Sequence, residues 1–171
     1  MLKEPRQRLR FLEQEEEIKL LAVCEEPLRS LIILGVHTGL RIQAEALQLR
    51  WEDVDLKRGL LVVQAAYAKN TRSIQINSVV RATLEQLQRT AGGDKVFTCG
   101  RIREKFRMAC ATAKLTGLVP HSLRHTFATR LVQNWVDLRT VQELGGWSSL
   151  SLVERSSHVS PSAVSFGRTN R

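Results

Sequence analysis

Long hydrophobic runs, paired cysteines and acidic residues are all scarce in this sequence, and each scarcity removes a class. No run reaches the roughly 18 uncharged apolar residues of a membrane span; the best, residues 28–40, is broken by Arg29, His37 and glycines. The opening Met1-Leu2-Lys3-Glu4-Pro5-Arg6 is not followed by an apolar segment, so no secretory signal is expected. Cysteine occurs three times, at Cys24, Cys99 and Cys110, with no Cys-x-x-Cys pair. An odd, unpaired set predicts reduced thiols in a cytoplasmic protein, filling the core rather than binding metal. Internal repeats and low-complexity tracts are missing as well. Asp and Glu number 17 against 26 Lys and Arg, a net charge of +9. That excess points to a polyanionic partner, nucleic acid or an acidic membrane surface, and says nothing about fold.

What is present fits one folded domain. The chain has 171 residues, 43% hydrophobic and 25% charged, enough to bury one core. Its charge is uneven: residues 95–130 carry Lys95, Arg101, Arg103, Lys105, Arg107, Lys114, Arg124 and Arg130 against the single acid Glu104. A solvated basic face is one explanation and a phosphate-facing surface is the other; the size of the imbalance favours the second. Periodicity predicts helices over Glu13 to Cys24 (with Ile18, Leu21 and Ala22 inward), from Pro27 to Gly39, and a short one through Ala44 to Leu49. Val54 to Leu56, Gly59 to Gln64 and Ser73 to Ile76 read as three antiparallel strands. Helices over Val79 to Gln88, Arg101 to Lys114, Ser122 to Asn134, Leu138 to Leu144 and Ser149 to Arg155 follow. The fold class expected is α+β, mainly α-helical, with residues 1–160 as the domain and 161–171 as a loosely held tail.

The richest segment is Pro120-His121-Ser122-Leu123-Arg124-His125. Helical spacing places His121, Arg124 and His125 on one side, with Leu123, Phe127 and Leu131 opposite. Two imidazoles and a guanidinium at a helix N-terminus suit a phosphate; one such residue alone would more simply be a packed histidine or a surface arginine. Thr38-Gly39-Leu40-Arg41 puts a second guanidinium after an apolar helix, where it must be paired or at a site; Glu45, four residues on, is the alternative partner. Lys69, in the turn between two strands, carries little weight by itself.

Together these residues resemble the catalytic domain of the tyrosine recombinase, or phage integrase, family. Thr38-Gly39-Leu40-Arg41 with Leu47-Gln48-Leu49-Arg50-Trp51 is similar to the family's first arginine block. His121-Ser122-Leu123-Arg124-His125 is similar to its His-x-x-Arg block, and Leu144-Gly145-Gly146-Trp147 to its His/Trp block. The resemblance spans Arg10 to about Pro161. It implies the mainly helical DNA breaking–rejoining fold with a small three-stranded antiparallel sheet. It also implies roles: Arg41 and Arg124 hold the scissile phosphate's non-bridging oxygens, Lys69 protonates the departing 5′ oxygen, His121 exchanges a proton with the nucleophile, and Trp147 packs and donates near the phosphate. Double-stranded DNA is the implied partner, with self-association on it. No metal or other cofactor, no small-molecule substrate and no membrane are implied.

The sequence departs from the family at the residue that matters most. The family's nucleophilic tyrosine lies nine positions past the His/Trp residue; here that position is Ser156, in Glu154-Arg155-Ser156-Ser157-His158, and the only tyrosine is Tyr67. A serine hydroxyl is far less acidic than a phenol of pKa about 10, so no covalent phosphodiester intermediate is expected. The stretch after Arg41 is also one residue longer than the family's, the hairpin after Lys69 is clipped, and the N-terminal DNA-clamping domain is expected to be absent. Two other readings compete. Leu138 to Arg155 has the outline of a helix-turn-helix DNA binder, with Ser151-x-x-Glu154 as a capping box. A recombinase relative that binds DNA without cutting it is the third. A type IB topoisomerase would share the chemistry, but the order and length fit an integrase better.

Overall fold

Two nearly enveloped helices organise the chain. The structure is a computed structural model describing residues 10–64 and 71–157. In it α2 (Leu28–Thr38) packs against α5 (Pro120–Gln133). The axes approach closely at Gly35, where a Cβ would lie 3.0 Å from that of Leu123. Leu31, Ile32, Leu34 and Val36 of α2 are buried, and so is every residue of α5 from Ser122 to Thr129. The predicted two-sided α5 is therefore buried all round: α2 covers one side, α6 (Leu138–Gly145) and α7 (Leu150–Ser156) the other.

Around this pair lie α1 (Gln14–Val23), α3 (Ser78–Arg89), α4 (Ile102–Thr112) and a sheet of β1 (Val54–Asp55), β2 (Leu60–Val63) and β3 (Arg72–Gln75). The sheet is antiparallel in the order β1-β2-β3, with Leu61 opposite Ile74 and Val63 opposite Arg72. Alternation sends Leu61, Val63 and Ile74 into the core. The Asn77 side chain caps α3 by accepting from the Val80 amide at 2.9 Å. Apolar side chains form a large cluster running from Leu12 to Leu123 and a smaller one of Phe127, Ala128, Val141, Trp147 and Val153. Arg124 falls between Leu123 and Phe127, at the seam of the two.

Three expectations need correction. Ala44 to Leu49 is not an α-helix: Glu45, at φ −124° and ψ −59°, breaks the run, leaving a 3₁₀ turn over Ala46–Gln48. On α1, Ile18 points outward at 65% exposure, and Glu17 and Leu20 face in. A polar anchor decides that rotation: Glu17 accepts from Arg130 Nη2 at 2.6 Å and lies 3.8 Å from His37 Nε2. The cap of α7 is Ser149, which accepts from the Leu152 amide at 3.4 Å, so Ser151 lies inside the helix rather than opening a capping box. The expected 161–171 tail, Lys69 and Tyr67 lie outside the described residues.

Candidate active site

The Arg41 turn is built by glycine. Gly39 ends α2 in the left-handed region at φ +68°, its amide bonded to the Gly35 carbonyl at 3.1 Å. A Cβ there would also lie 2.4 Å from the Phe127 ring. The chain then leaves α2 abruptly, and Arg41 reaches solvent after buried Leu40. The sequence left Glu45 as a partner for this guanidinium. The structure gives Glu45 only the backbone of Arg41, whose amide donates to Oε2 at 2.9 Å. The buried carboxylate is gripped by Arg72 of β3 through two parallel bonds of 2.8 and 2.9 Å. Among the described residues the guanidinium of Arg41 forms no ion pair or hydrogen bond, and it lines a cleft.

Arg124 lines the same cleft from α5, at 2% exposure. Its Nη1 donates to the Gly39 carbonyl at 2.6 Å, tying it to the Arg41 turn. Its Nη2 has no partner among the described residues. The guanidinium carbon sits 3.9 Å from the centroid of the Trp147 ring, a cation–π stack. Burial pulls the Arg124 pKa down to about 9; Glu45 opposes this, while Arg41 and Arg72 add to it. Trp147 is placed by the two glycines before it: a Cβ on Gly145 would lie 1.7 Å from its ring, and Gly146 closes α6 at φ +68°.

His121 stands exposed at the rim of the cleft, in the first turn of α5, its ring edge-on to His125 with centroids 4.7 Å apart. Desolvation of the ring where it packs at the rim, then His125, Arg124 and Arg41, push its pKa down to about 4, so it is a neutral imidazole at pH 7. His125 does not join the cleft as its spacing suggested. It is buried, and its Nδ1–H donates to the Ser156 carbonyl at 3.1 Å, which also accepts from Thr129 Oγ1 at 3.5 Å. Ser156, the last residue of α7, is buried at 6% exposure and makes no hydrogen bond to Arg41, His121 or Arg124. Its backbone carbonyl is held by His125, whose ring in turn lies edge-on to His121.

The cleft, about 680 Å³, thus joins Arg41, His121 and Arg124, with Trp147 behind them. Arg103 and Arg107 of α4 complete its basic wall. The sequence counted these two only within a basic run; their i,i+4 spacing opposite buried Ile102 and Phe106 was the usable signal. Arg72 and Glu45 carried no signal as a pair, being 27 positions apart. Fixed cations around an open space can clamp two oxygens of a phosphate and stabilise charge developing there. Among the described residues, no three His, Cys, Asp or Glu side chains cluster so as to hold a metal ion, and no helix is long and apolar enough to cross a membrane.

Residues 10–162 match the sequence model of the phage integrase family. The chain is 28% identical to the integrase of Salmonella phage P22, over 90% of this chain and 45% of that protein. It is 33% identical to the tyrosine recombinase XerA of Thermococcus kodakarensis, over 89% of this chain and 59% of that protein. Against the tyrosine recombinase XerC of Xanthomonas campestris it is 32% identical, over 92% and 53%. The chain therefore spans about half the length of the curated relatives it matches. In fold it is similar to the crystal structure of XerA recombinase, with a TM-score of 0.79 at 22% identity over 94% of this chain and 64% of that one. The catalytic domain of bacteriophage HP1 integrase matches with a TM-score of 0.73 at 25% identity, covering 93% of this chain and 95% of that domain. The likeness extends over nearly the whole of this chain's mainly helical architecture.

Proposed function

The chain belongs to the phage integrase family, and from that premise we propose that residues 1–160 form a recombinase catalytic unit that binds duplex DNA over the Arg41–Arg124 cleft and does not cut it. The observation that carries this reading is the convergence of Arg41, His121 and Arg124 on one cleft, with Trp147 stacked on Arg124. A scissile phosphate seated there takes one non-bridging oxygen on Arg41 and the other on the guanidinium of Arg124, as guanidinium donors favour. Arg103 and Arg107 receive the neighbouring phosphates. Neutral His121 is placed to exchange a proton with an attacking hydroxyl. Lys69 is the acid for the departing 5′ oxygen in this reading, on the strength of the family resemblance.

Ser156 is what separates binding from cleavage. In the family's reaction a phenolate attacks phosphorus, forms a 3′-phosphotyrosyl bond and expels the 5′ oxygen, which takes up a proton. Ser156 is buried and makes no hydrogen bond to the cleft residues, and its hydroxyl is too weakly acidic to supply the anion. The unaltered protein should therefore give no covalent adduct on a nicked or suicide duplex. Ser156→Tyr should restore one, and Ser156→Tyr with Arg124→Ala should lose it again. An adduct with the unaltered chain would overturn the assignment of Ser156. An adduct with the double variant would remove Arg124 from the clamp. No adduct from folded Ser156→Tyr would show that more than the nucleophile is lacking.

A further inference from the structure

The Arg41 turn poses an electrostatic problem that its own sequence creates. Glu45 lies four residues after Arg41, its carboxylate already touches the Arg41 amide at 2.9 Å, and it is buried. A buried carboxylate needs a cation, and the nearest mobile one by connectivity is the Arg41 side chain. Were the two to pair, the cleft would lose a positive charge where a phosphate must bind. The structure shows another cation in that position. Arg72 spends its whole fork there: Nη1 and Nη2 hold the two oxygens of Glu45 at 2.8 and 2.9 Å, and Nε donates to the Leu144 carbonyl at 3.2 Å. Gly146 leaves room for this, since a Cβ on it would lie 2.9 Å from Arg72 Nη1.

We propose that Arg72 is a positioning residue that sequesters Glu45, so that the guanidinium of Arg41 stays free for phosphate. Its Nε bond to Leu144 also fixes the chain three residues before Trp147, which links β3 to the wall behind Arg124. Arg72 is absent from the lining of the cleft, so its effect on ligand is transmitted through Glu45. Lysine could hold one oxygen of Glu45 as a point charge but could not keep the Leu144 bond as well. The consequence for DNA rests on the function proposed above; the sequestration itself does not.

Reaction with phenylglyoxal, an arginine-selective dicarbonyl, mapped residue by residue by mass spectrometry, tests the sequestration without DNA. In the unaltered chain Arg41 should react fast and Arg72 slowly. In Arg72→Met, Arg41 should slow roughly two- to fivefold, the effect of a partly exposed ion pair, and Arg72→Met with Glu45→Gln should restore it. Arg72→Lys should leave Arg41 fast. If Arg72→Met does not fold, Glu45→Gln alone decides the matter: Arg72 becomes reactive while Arg41 is unchanged. Faster Arg41 in Glu45→Gln, or unslowed Arg41 in folded Arg72→Met, would overturn the proposal. In parallel, binding of a duplex oligonucleotide by Arg72→Met should lose about 0.9 from the log–log salt slope, and the double variant should regain it. Absence of DNA binding in every variant would refute the function proposed above, and the dicarbonyl result would still judge Arg72.

Discussion

Replacing Arg124 with methionine should make the DNA-free protein slightly more stable while weakening its hold on phosphate. Arg124 is 2% exposed, with one donor on Gly39 and one unpartnered among the described residues. A fall in its pKa from 12.5 to about 9, at about 1.4 kcal/mol per pKa unit, puts the net cost of holding the charge there (burial and repulsion from Arg41 and Arg72, less attraction to Glu45) on the order of 5 kcal/mol. The charge-assisted bond to the Gly39 carbonyl returns about 2 kcal/mol, and the desolvated stack on Trp147 about 2 more. A net cost of roughly 1 kcal/mol remains, which methionine removes while keeping most of the volume. The assay is urea unfolding followed by far-ultraviolet circular dichroism on both proteins, with melting as a check. Arg124→Met should raise stability by about 1 kcal/mol, or about 2–4 °C for a chain of this size. Its binding of duplex oligonucleotide should weaken, with a salt slope shallower by about 0.9. A variant less stable by 2 kcal/mol or more would refute the reasoning, because the contacts of the guanidinium would then outweigh its burial.

Two further outcomes follow from the same geometry. The folded imidazole of His121, held near pKa 4, refuses a proton that the unfolded chain accepts at about 6.5; stability therefore falls as pH drops from about 6.5 toward 4. His121→Gln should flatten that part of the curve in urea titrations at several pH values, and an unchanged curve would contradict the desolvation of this ring and its repulsion by the neighbouring cations. Gly145→Ala should drive Trp147 off Arg124, since the added Cβ would meet the ring at 1.7 Å; a loss of roughly 1–3 kcal/mol is expected, together with weakened oligonucleotide binding. A melt and an affinity indistinguishable from those of the unaltered chain would count against this packing.

Local rules made most of the fold legible in the sequence. Turn residues and apolar spacing place α2, α3, α4, α5 and the three strands within a few residues of their observed limits, because caps and periodicity act over one or two helical turns. The candidate residues were legible for a different reason: Arg41, Arg124 and Trp147 stand in short blocks whose order is visible along the chain. What the sequence could not decide was which charge pairs with which. The spacing of four between Arg41 and Glu45 left an ion pair as the alternative to a phosphate site. Tertiary structure gave Glu45 to Arg72, 27 positions away, because only the β3 backbone brings a fork-shaped donor to both carboxylate oxygens at once. Spacing also grouped His125 with His121, yet α7 supplies a buried carbonyl that His125 must satisfy. The inward face of α1 was set by the bond from Glu17 to Arg130 on α5, against the local preference of Ile18. Covalent order and local conformation are written along the chain, whereas the partner of a buried charge depends on which distant backbone folds beside it.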